Sequence, residues 1–89
     1  MQEKQVVIVN KLGLHARAAA KFVTLAASFS SEVDVSKDGQ TVNGKSIMGV
    51  MMLAASKGTN LVITTSGIDE DDAVIQLERL VQEKFGETE

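Results

Sequence analysis

The chain carries one histidine, His15, two residues ahead of Arg17 in the segment Gly13-Leu14-His15-Ala16-Arg17. A β-branched run gives way there to alanine-rich helical spacing, so His15 falls at a helix entrance. An imidazole of ordinary pKa, near ~6.5, is largely neutral in the cell and can attack phosphorus through a ring nitrogen. Free backbone N–H groups and the positive end of the helix dipole make the same place an anion site. Arg17, in the first turn, offers a planar fork suited to phosphate oxygens. Phosphoryl transfer depends on positioning and charge stabilisation more than on acid or base groups, so missing carboxylate pairs and metal ligands do not count against it. The plainer alternative is a solvated histidine and an exposed charge. Spacing alone leaves both open.

Gly39-Gln40-Thr41-Val42-Asn43-Gly44-Lys45-Ser46 satisfies the G-x-x-x-x-G-K-[ST] phosphate-loop pattern in full. That pattern binds nucleotide only between a parallel strand and a helix, with the loop curled around the phosphates. Here Asp38-Gly39 reads as a two-residue hairpin turn and Gln40 to Asn43 as its second strand, which is extended where the loop must curl. Ser46 has two other readings. It is an N-cap for the apolar run that follows, or a phosphate acceptor at a helix start where the dipole tolerates added negative charge.

Composition narrows the classes. At 89 residues the chain fits one domain over 1–89, burying roughly 60 to 65% of its unfolded surface. That leaves little room for a deep substrate pocket and favours a shallow patch presented to a partner. A net charge of −3, no Tyr or Trp, and only Phe22, Phe29 and Phe85 argue against nucleic-acid binding. One histidine without cysteine builds no zinc site and no disulfide, and no cofactor is expected. No run approaches the ~18 apolar residues of a membrane span, and the start lacks a signal-peptide layout, so a cytoplasmic protein is expected.

The elements that must hold these residues read as βαββαβα. Val6 to Val9 is a strand; Ala19, Phe22, Val23, Ala26 and Phe29 mark a helix over roughly 16 to 28. Glu32 to Ser36 alternates with period 2. Ile47 to Ala54 is a short helix apolar almost all round, so part of Ile47, Met48, Met51 and Met52 must stay exposed. Leu61 to Thr65 is the last strand. Asp69 to Asp72 crowd a helix start, Ala73, Val74, Leu77, Leu80, Val81 and Phe85 form its stripe, and Gly86 stops it. An α+β domain follows, with helices on one face of a mainly antiparallel sheet.

Two segments together resemble one family, the histidine-containing phosphocarriers (HPr) of the bacterial phosphoenolpyruvate-dependent phosphotransferase system. Asn10-Lys11-Leu12-Gly13-Leu14-His15-Ala16-Arg17 is similar to its active-site segment and Asn43-Gly44-Lys45-Ser46-Ile47-Met48-Gly49 to its regulatory segment. The resemblance implies an open-faced β-sandwich, four antiparallel strands covered on one face by three helices. It implies a phosphoryl group taken onto His15 Nδ1 from phosphorylated Enzyme I and passed to IIA-type domains, with Arg17 stabilising the phosphate. It further implies Ser46 as the target of an HPr kinase/phosphorylase, and Leu14, Ala16, Ala20, Ile47, Met48 and Met51 as a partner-binding surface. The expected working unit is a monomer, a carrier rather than an enzyme with its own small substrate. A regulatory protein of the same fold controlled through Ser46, or a nitrogen-branch carrier, is the alternative. Ala18 departs from the proline usual after the arginine; alanine keeps the helix and adds a free N–H, at a small expected loss of rigidity.

Overall fold

Glu32-Val33-Asp34-Val35 alternates wet and apolar side chains, and in the computed structural model, which describes Met1–Glu89, Val33 and Val35 point inward while Glu32 and Asp34 face solvent. This is β2, Glu32–Lys37, the second of four strands with β1 (Gln2–Val7), β3 (Gln40–Asn43) and β4 (Asn60–Ser66). Helices α1 (Ala16–Ala27), α2 (Ile47–Met52) and α3 (Glu70–Gln82) alternate with them, and a 3-10 turn, Lys84–Gly86, follows. The sheet is antiparallel throughout, in the order β1-β4-β2-β3, with Val35 opposite Ile63 on one side and Val42 on the other. Val33, Val35, Leu61 and Ile63 meet Phe22 and Ala26 of α1 and Val74, Leu77 and Val81 of α3 in one core. Each of the larger of these side chains, Ala26 aside, contributes roughly 1.5 to 3 kcal/mol when removed from water. The opposite face of the sheet is open.

Asp38 and Gly39 both take positive φ, 50° and 85°, as a hairpin of this length requires. Gln40–Asn43 is paired with β2, so the phosphate-loop pattern lies on an extended strand and cannot wrap a phosphate. Several boundaries differ from expectation, among them the end of α3, which stops at Gln82 and leaves Phe85 and Gly86 to the 3-10 turn. β1 begins at Gln2, because its backbone pairs with β4 from Gln2 opposite Thr65 to Val7 opposite Asn60; as an edge strand it tolerates the polar side chains that disguise it. Ile8 and Val9 lie past its end, although Ile8 is fully buried and exchanges backbone hydrogen bonds with Thr59 and Gly58. Helix α2 stops at Met52 rather than Ala54, where a φ of 50° turns the chain away.

Asp69 does not cap α3 through its side chain. Its carboxylate instead crosses to the α1–β2 loop, accepting from the backbone N–H groups of Ser30 at 2.8 Å and Ser31 at 2.9 Å and from the Ser31 hydroxyl. The Ser31 hydroxyl first, then the Ser30 amide, hold this carboxyl below its ordinary 3.8. A lowered folded-state pKa contributes stability that is present above the ordinary value and lost as pH falls through the folded one. Asp69→Asn is therefore expected to lower Tm at neutral pH, with the difference from the parent chain shrinking below about pH 3.8 and vanishing in stronger acid. Paired thermal melts from pH 7 to pH 2 check this; a pH-independent difference would refute it.

Candidate functional site

The site is built on a turn that only glycine can make. Gly13 has φ of +68°, and a Cβ there would stand 2.4 Å from the Ala55 carbonyl oxygen and 2.9 Å from Ser56 Cα, both backbone. The Leu14 N–H donates to that same Ala55 oxygen at 2.9 Å. Asn10, fully buried, braces the turn by donating from Nδ2 to the Gly13 carbonyl at 2.9 Å. His15 is thereby delivered in extended conformation, φ −73° and ψ 177°, as the N-cap of α1.

In that position Nδ1 accepts the backbone N–H of Arg17 at 3.2 Å. An amide can only donate, so Nδ1 carries a lone pair. The side chain is 26% exposed: the ring is reachable from solvent and faces the first helix. Arg17 is exposed and has no carboxylate within 4 Å, so its guanidinium is unpaired. An open hollow of about 320 Å³ lies beside them, lined by Lys11, Leu12, Arg17, Glu87, Thr88 and Glu89. Lys11 meets Glu89 across it at 3.6 Å.

Glu87 was not legible as a site residue. Its carboxylate meets His15 Nε2 and accepts from Asn10 Nδ2 at 2.9 Å, although 72 residues separate it from the histidine. No local spacing signals such a contact. The Asn10 hydrogen bond, opposed by partial burial and aided by His15 and Arg17, holds the Glu87 carboxyl below its ordinary range.

Ser46 caps α2, its Oγ accepting from the Gly49 N–H at 3.1 Å, and is half-buried. Ile47, Met48, Met51 and Met52 all face solvent on α2, whereas Val50 and Leu53 enter the core. Ala16 is exposed. One residue expected on the same surface lies elsewhere. Leu14 is only 7% exposed and packs in the core, because the turn at Gly13 points it inward; it holds the histidine turn and has no side chain to offer a partner. Ala20 is half-buried on the Arg17, Lys21, Thr24 face of α1, in a hollow shared with Leu80 of α3. Ala18 is fully buried. No helix is long and apolar enough to cross a membrane, and no group of three or more His, Cys, Asp or Glu side chains is placed to hold a metal.

The chain matches the family described as "PTS HPr component phosphorylation site" over residues 2–83. It is 53% identical to the phosphocarrier protein HPr of Neisseria meningitidis over 89 residues, the full length of both. The crystal structure of HPr-C-His from Thermoanaerobacter tengcongensis superposes with a TM-score of 0.96 at 47% identity, covering all of both chains. That of an HPr dimer from the same organism superposes with a TM-score of 0.79 at 48% identity, covering 98% of this chain and all of the other. With full-length identity near one half, and with the fold those structures share, the chain belongs to the HPr family of phosphocarriers of the phosphotransferase system.

Proposed function

We propose that His15 is the phosphoryl acceptor, charged by phosphorylated Enzyme I and discharged to IIA-type domains in the cytoplasm, with the monomer as the working unit. The observation that carries this is a reachable ring at a helix N-cap whose Nδ1 lone pair faces a backbone amide beside an unpaired guanidinium. Attack by Nδ1 forms the N–P bond as the bond from phosphorus to the donor breaks, its electron pair staying on the donor. The Arg17 N–H, released from Nδ1 in that step, then faces a phosphate oxygen, and the guanidinium meets the charge on the others. Exposed Ile47, Met48 and Met51, with Ala16 and half-buried Ala20, form the surface for the two partners; methionine suits a face that must accept more than one.

Incubation with phosphoenolpyruvate and Enzyme I is expected to place an acid-labile phosphate on His15; a chain that stays unlabelled ends the reading. Arg17→Ala is expected to slow that labelling by roughly a hundredfold, in line with the loss of one preorganised charge donor. Stopped-flow transfer rates measure it, and an unchanged rate would remove Arg17 from the mechanism.

Ser46 is the proposed regulatory acceptor, modified by an HPr kinase/phosphorylase. Its hydroxyl already satisfies the Gly49 N–H, so Ser46→Ala is expected to cost about 1 kcal/mol through the lost cap as well as abolishing labelling by ATP and the kinase. Urea denaturation and kinase labelling check the two effects separately.

A further inference from the structure

Lys84, Phe85 and Gly86 follow α3 with φ of 60°, 56° and 80°, two of them at residues with side chains, so the chain reverses sharply at a conformational cost. Four contacts hold the reversal. Phe85 is fully buried, Lys21 Nζ donates to its carbonyl at 2.7 Å, the Lys11 N–H donates to the Glu89 carbonyl at 2.5 Å, and Asn10 Nδ2 donates to Glu87 at 2.9 Å. Asn10 spends both amide hydrogens on acceptors, Gly13 O and Glu87, while its own Oδ1 stays buried without a partner. Strain and an orphaned acceptor are thus both tolerated where the product is a single carboxylate set against His15 Nε2.

From this we infer that Glu87 is a positioning residue for phosphoryl transfer: it fixes the Nε2–H tautomer of His15 and compensates the charge the ring acquires. The inference rests on the carrier reading above. A carboxylate accepts, so Nε2 must bear the hydrogen, and the Arg17 amide independently requires Nδ1 to be the bare nitrogen. When Nδ1 takes the phosphoryl group and the donor keeps its electron pair, the Nε2 proton stays where it is. The ring then carries a positive charge against Glu87, in the way a buried carboxylate orients and stabilises an imidazolium elsewhere. The charged groups lining the hollow beside the site are Arg17 on α1, Lys11 on the turn before it, and Glu87 and Glu89 after the 3-10 turn. Glu87 is the one whose carboxylate touches a ring nitrogen.

The test pairs ¹⁵N NMR of His15 with transfer kinetics in the parent chain and in Glu87→Gln, which keeps the shape and removes the charge. In the parent chain, neutral His15 is expected to show a protonated Nε2 and a bare Nδ1. In Glu87→Gln both tautomers are expected, the protonation midpoint of phosphorylated His15 falls, and the transfer rate drops roughly ten- to a hundredfold. A parent spectrum with the proton on Nδ1, a rate unaffected by Glu87→Gln, or a slowed rate with tautomer and midpoint unmoved would each overturn the assignment. Failure of the carrier reading looks different: the parent chain itself takes no phosphate, and the assignment falls with it.

Discussion

Replacing His15 with alanine is expected to abolish acid-labile labelling completely rather than reduce it. The chain holds no second imidazole, so no neighbouring nitrogen can take over at low rate. The fold should survive. His15 contributes an N-cap hydrogen bond and the contact with Glu87, and removing a cap costs about 1 kcal/mol against a domain stability of roughly 5 to 15 kcal/mol. The decisive comparison is labelling from phosphoenolpyruvate and Enzyme I beside a urea melt of the same sample. Residual label in a folded His15→Ala chain would refute the assignment of the acceptor. Ser46 offers a check from the other direction: kinase labelling at Ser46 should persist in His15→Ala, because the hydroxyl sits on α2 and depends on a different cap.

Phe85→Ala is expected to have the largest effect on stability, about 3 to 5 kcal/mol, as for other fully buried phenylalanines. Such a loss is a sizeable fraction of the whole, so the urea midpoint should fall steeply. The consequence reaches the site because Phe85 anchors the reversal that brings Glu87 to His15. Transfer measured at low temperature, where the variant is still folded, should therefore be slower than in the parent chain. A loss of stability below about 1 kcal/mol would mean that the ring is poorly packed despite its burial.

What could be read from the residues was local. Asp38-Gly39 announced its turn because two positive φ values suit few pairs, and period 2 through Glu32 to Ser36 announced a half-buried strand. The failed phosphate-loop pattern was legible for the same reason, since the hairpin competes for its residues. The exposed Ile47 and methionines followed from the impossibility of burying every face of a short helix. What escaped was set by contacts far apart in the chain. The polar residues of β1 become strand only because β4 lies beside them, and Leu14 turns inward only because Gly13 approaches Ala55. Likewise, Asp69 reads as one more charge at a helix start until the α1–β2 loop supplies its three donors.

The strand order β1-β4-β2-β3 has a bearing on how the molecule is made. A chain emerging from the ribosome can close the β2–β3 hairpin as soon as residue 43 is free, but β1 has no neighbour until Asn60–Ser66 follows. Non-local pairings of this kind form late and slowly. His15, translated early, stays without its carboxylate until Glu87 has emerged and Phe85 has locked in place, so a truncated or still-tethered product would carry the imidazole but not its finished surroundings.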